Sequence, residues 1–186
     1  MIASPALQGW DNFYVIIGSA AAGLTGLTFV VIALAADADM ARLSGLKTFV
    51  SPTVIHFSSA LWIAALCNLP RQSAASLGPL MLASGALGSA YAMRTLYRMT
   101  QFARTDYVPV MEDWIWNGVL PLASYAALAV GGGLAWTDPL TAGYLIGVPA
   151  LLLLFIGIHN VWDLAVWILA ERPEKRRAQE QEKRDP

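Results

Sequence analysis

Charged residues are scarce in this chain. Asp, Glu, Lys and Arg make up 13% of its 186 residues, about half the share of a soluble domain. The shortage is local: residues 12–36, 48–70, 72–93, 114–137 and 139–162 carry no charged side chain. That excludes an ordinary solvated globule. The single cysteine, Cys67, excludes an intrachain disulfide and says nothing about redox compartment. No basic residue precedes Arg42, so the basic start of a secretory signal is missing. The first apolar run is also longer than the roughly 7–15 residues of a signal core. "ALAADADMA" has the look of a cleavage site, yet the first helix is expected to be retained. HExxH, GxSxG, P-loop and Rossmann glycine patterns are absent, as are paired aspartates on facing helices. Hydrolytic and nucleotide chemistry therefore lack their usual residues, and the sequence does not read as an enzyme.

What the chain has is hydrocarbon, at 56% apolar residues and a mean hydropathy of +0.52. Each charge-free window exceeds the roughly 20 residues that cross about 30 Å of lipid as a helix. A helix satisfies its backbone hydrogen bonds within one segment, and strand alternation is missing. The expected fold is all-α, one bundle of five transmembrane helices over about 13–36, 48–70, 76–98, 114–136 and 140–170. A charged tail over 171–186, with six basic and five acidic residues, cannot bury a face and reads as disordered. It is too balanced in charge to bind nucleic acid. Basic residues collect on the cytoplasmic side of membrane proteins. A cytoplasmic tail places every basic residue except Arg71 inside. The expected topology is N-terminus outside and C-terminus inside, in a plasma (inner) membrane.

Small residues recur at a spacing of four, which lets membrane helices approach closely. Ser19 and Gly23 do so on the first helix; Ser84 with Gly88 and Gly85 with Ser89 do so on the third. These helices are expected to pack closely, in the bundle or in an oligomer. "VGGGLAW" on the fourth helix reads as a bend, and Pro52, Pro121 and Pro149 as kink positions. Trp10, Trp114, Trp116, Trp136 and Trp167 lie near helix ends, as in an interfacial belt.

Both histidines fall inside apolar windows. Thr53, His56 and Ser59 share a stripe of the second helix. On the fifth, "GIHNVWDLAVW" sets His159 and Asp163 one turn apart, with Asn160 beside them. Counted from the inner ends, His56 and Asp163 each lie about 10 Å deep, with Thr28 of the first helix at a similar height. A carboxylate at such depth costs at least about 2.5–3.5 kcal/mol unless it is paired, protonated or hydrated. His159, or His56 across the bundle, is the expected partner.

Three functions suit this pattern. One is a small-solute, ion or proton conduit built on Thr28, Thr53, His56, Ser59, His159, Asn160 and Asp163; five helices make a thin wall, so it implies a homo-oligomer. Another is an accessory or scaffold subunit that packs small-residue faces against partner membrane subunits. The last is a redox protein with haem b between His56 and His159. No metal site is otherwise expected, and the lipid bilayer is the expected surrounding.

Overall fold

The computed structural model describes residues 5–36, 43–102 and 110–182. Among them the secondary structure is wholly helical. A short 3-10 turn, Pro5–Leu7, precedes α1 (Asp11–Ala36), α2 (Leu43–Cys67) and α3 (Ala74–Phe102). Helix α4 (Met111–Leu134) is interrupted by a π-turn at Ile115–Val119, and α5 runs Pro139–Glu182. Three helices hold stretches long and apolar enough to cross a membrane: Asp11–Ala33, Met111–Leu134 and Pro139–Asp163. A shorter apolar stretch, Pro52–Cys67, lies in α2.

The bounds differ from those read in the sequence, most of all at the carboxyl end. Helical backbone continues past 170 to Glu182, through most of the segment expected to be disordered; residues 183–186 of that segment lie outside the described residues. Its composition allows this. Glu171/Lys175 and Arg176/Glu180 stand four apart, a spacing that supports a solvated helix. At its start, α5 is capped by Asp138, whose carboxylate accepts a hydrogen bond from the Thr141 amide at 3.1 Å. Thr141 holds that carboxyl below its usual range.

Packing runs in a series. α3 lies against α4, α4 against α5, α5 against α2, and α2 against α1. α1 and α3, expected to be close neighbours, stand at opposite ends of this series. Lipid supplies no hydrophobic drive between helices, so close backbone approach must hold them. Glycines provide it. A Cβ at Gly85 would overlap the Ala129 amide nitrogen, and one at Gly132 would meet the Leu82 nitrogen and stand 2.8 Å from the Gly78 oxygen. Gly131 turns the other way, where a Cβ would lie 2.9 Å from Leu145 Cβ. Gly131 and Gly132 therefore form two packing faces, Gly133 opens to space, and the helix continues through all three to its end at Leu134. Gly157 of α5 receives the Phe57 ring of α2, and Gly143 and Gly147 receive Trp10. By contrast, Ser19 and Gly23 of α1 are exposed, and a Cβ on Gly23 would touch nothing.

Pro121 explains the π-turn. It has no N–H to offer the Asn117 carbonyl and its ring crowds that group. The helix widens before it, and the Leu120 N–H donates to Ile115 O, five residues back. Such single wide turns are the usual form of π-helix.

Gly85→Val tests the glycine packing. Backbone atoms oppose the new methyls, so overpacking of about 1–3 kcal/mol or more is expected, read as a lower melting temperature in detergent. Gly133→Ala, with open space around its Cβ, leaves the melting temperature unchanged or slightly higher.

Candidate functional site

Two polar groups emerge where the sequence suggested one. The inner group is centred on His56, which is 1% exposed. Its Nδ1 lies 3.2 Å from the Tyr125 hydroxyl of α4, and Ser59 Oγ lies 2.9 Å from the same hydroxyl. Tyr125 reaches this point because Gly88 of α3 leaves room for its ring. A Tyr hydroxyl among apolar side chains needs a partner, and here it has two from α2. His56 Nε2 has none: it is buried without a hydrogen-bond partner, as is Asn160 Nδ2. Thr53, one turn before His56, is fully buried.

The outer group gathers around His159 of α5. Its Nε2 lies 3.1 Å from Asp163 Oδ2 and 3.7 Å from Glu112 Oε1 of α4. Its ring stacks on Trp116 at 3.9 Å between centroids and 19° between planes. Asp163 and Glu112 are exposed, with 58% and 66% of their side chains accessible. Both carboxylates stand at the edge of the bundle, beside the amino end of α4, where the helix dipole favours negative charge.

The structure thus separates the residues expected to meet. His56 belongs with Tyr125 and Ser59, and Asp163 with His159 and Glu112. Thr28 is buried, but its hydroxyl donates to Leu24 O of its own helix at 2.7 Å. Of the packing residues, Gly85 and Gly88 face α4, and Ser84 Oγ accepts a hydrogen bond from Trp62 Nε1 at 3.1 Å. Ser89 is half-buried, and Ser19 and Gly23 face outward.

Haem b between His56 and His159 does not fit this arrangement. The ring of His159 is covered by Trp116 and its Nε2 is against Asp163, while His56 is held by Tyr125 in a different group of side chains. Among the described residues, no three His, Cys, Asp or Glu side chains are arranged to hold a metal ion.

Sequence reasoning missed Tyr125, Trp116 and Glu112. Tyr125 had a signal: a lone hydroxyl in the middle of a charge-free helix must find a polar neighbour. Glu112 and Trp116 had none, because their positions depend on the π-turn.

No protein-family model, curated protein or solved structure matches the chain.

Tyr125→Phe is expected to destabilise the fold by about 1–3 kcal/mol, because it leaves buried polar atoms of α2 without a partner. Ser59→Ala costs less, since His56 keeps the hydroxyl. Thermal melts of the two single variants and the double variant should give a coupling of roughly 0.6–1.7 kcal/mol, the range of interhelical hydrogen bonds in lipid.

Proposed function

We propose that the chain is a five-crossing protein of the plasma (inner) membrane that carries protons or a small polar solute through its own helices. Its amino end lies outside and its charged carboxyl end in the cytoplasm. Exposed apolar side chains support the lipid setting: Val15, Ile16, Leu27, Phe29 and Val30 on α1, with Val148 and Phe155 on α5. α2 and α3 complete the five crossings. At 1.5 Å per residue the 29 residues of α3 extend about 43 Å, enough to cross despite their modest hydropathy.

His56 carries this reading. An ionisable side chain buried at membrane depth is costly and marks a functional site by default. Here it is hydrogen-bonded through one nitrogen to a Tyr–Ser hydroxyl pair and has its other nitrogen free of protein partners. Such a ring can accept a proton on one side and release one on the other. The His159, Glu112 and Asp163 group stands at the cytoplasmic edge on the same topology and offers a collecting point.

Proteoliposomes holding a pH-sensitive dye test it. The purified chain is expected to collapse an imposed proton gradient, and His56→Phe to slow the collapse at least about tenfold, as for loss of a positioned acid–base group. Flux no greater than that of protein-free vesicles sinks the proton reading.

A second reading, an accessory subunit of a membrane complex, is favoured by one observation. α1 leaves Ser19, Ala22, Gly23 and Gly26 exposed, and Cβ atoms added at either glycine would touch nothing in the chain. On that reading Gly26→Leu abolishes co-purification of a partner in mild detergent without changing the melting temperature. A chain that purifies alone, in the same state with or without this substitution, counts against it.

A further inference from the structure

Among the described residues three buried polar atoms lack a hydrogen-bond partner, the Tyr14 hydroxyl and two nitrogens, and the nitrogens belong to helices that face each other. His56 Nε2 sits on α2 and Asn160 Nδ2 on α5; the two residues are 1% and 9% exposed. An orphaned buried polar group costs about 1–3 kcal/mol, and in native proteins ordered water commonly satisfies it. One orphan could be an isolated defect. Two in the same layer of the same interface require a shared cause.

The contact of Phe57 with Gly157 fixes their level. Three chain reversals separate α2 from α5, so the two helices are antiparallel. Residues just before Phe57 therefore stand level with residues just after Gly157, which puts His56 opposite the turn that carries Asn160. Helical side chains lean toward the amino end of their own helix. On antiparallel neighbours His56 and Asn160 lean toward each other.

We propose that one ordered water molecule bridges His56 Nε2 and Asn160 Nδ2. This deepens the proton-carrying reading and rests on it for its purpose, though not for its existence. The donors and acceptors close without conflict. The Asn160 amide donates to the water, and the water donates to the lone pair on His56 Nε2. His56 then carries its proton on Nδ1 and donates it to the Tyr125 hydroxyl, which donates to Ser59 Oγ. A proton arriving through the water binds Nε2 and leaves the charge on the imidazolium, whose Nδ1–H stays donated to the Tyr125 hydroxyl. Asn160 touches neither end of this transfer; it is a positioning residue for the water.

Solid-state NMR of the full-length chain in lipid bilayers, with nitrogen-labelled histidine, tests the site. Only two histidines exist, and His159→Gln assigns the remaining signal to His56. The expected result is a neutral ring protonated at Nδ1, with Nε2 in contact with a water that exchanges slowly with bulk. Asn160→Leu should remove that contact. A neutral ring protonated at Nε2, or a dry Nε2 in the native chain, overturns the proposal, and both are read on the native chain once the His159→Gln spectrum has assigned its signals. Water at Nε2 with no proton flux in vesicles sinks the proton reading and leaves the site standing. Normal flux with a dry Nε2 does the reverse.

Discussion

Everything in the arrangement depends on how closely α3 and α4 can approach. Gly85 and Gly132 bring two backbones together where any Cβ would overlap main-chain atoms. Dispersion between such surfaces and the lipids they displace is the main force available in hydrocarbon. That approach has a second effect. It lets Gly88 receive the Tyr125 ring, so a side chain rooted on α4 extends to the polar stripe of α2. α2 and α3 barely touch directly. The Tyr125 hydroxyl is therefore the polar tie between α4 and α2 across the inside of the bundle. A bulkier residue at 88 would displace the ring, and His56 would lose its hydrogen bond to Tyr125.

Pro121 governs the other polar group in a comparable way. In a regular helix Trp116, nine residues before Tyr125, would point about 180° away from it. The π-turn adds one residue to the intervening path and rotates everything before it by about 100°. Trp116 then lies over His159, and Glu112 comes within 3.7 Å of the same ring. A proline that removes one backbone hydrogen bond thus decides which side chains of α4 meet α5. This explains how much could be read in advance. The helices follow from runs of uncharged residues, and the His159–Asp163 spacing follows from a regular turn. Trp116 and Glu112 could not be placed, because spacing arithmetic assumes 3.6 residues per turn throughout.

Two other departures have the same kind of cause. The Ser/Gly spacing of α1 and the Gly85/Ser89 spacing of α3 look alike as sequence, yet one faces outward and the other seats a neighbouring helix. Small residues permit close packing without naming the partner, and only the order of helices in the bundle does that. His56 and Asp163 likewise matched in counted depth, but depth says nothing about direction around an axis. Tyr125 took up His56, and Asp163 faced out.

The exposed carboxylates also constrain how the bundle can sit in a bilayer. Glu112 and Asp163 stand on the outer surface, and an ionised carboxylate on a lipid-facing surface is stable only near the headgroups. If they mark the cytoplasmic boundary, the 25 residues of Pro139–Asp163 rise about 36 Å from it and cover the hydrocarbon in full. Asn160 then lies only about 5 Å inside that boundary, and Gly157, level with Phe57, about 9 Å. At those depths polar side chains and penetrating water cost far less than at the midplane. The layer holding the two unpartnered nitrogens is thus shallow enough to hydrate from that boundary, whereas Tyr125 above it is buried, its ring seated on Gly88.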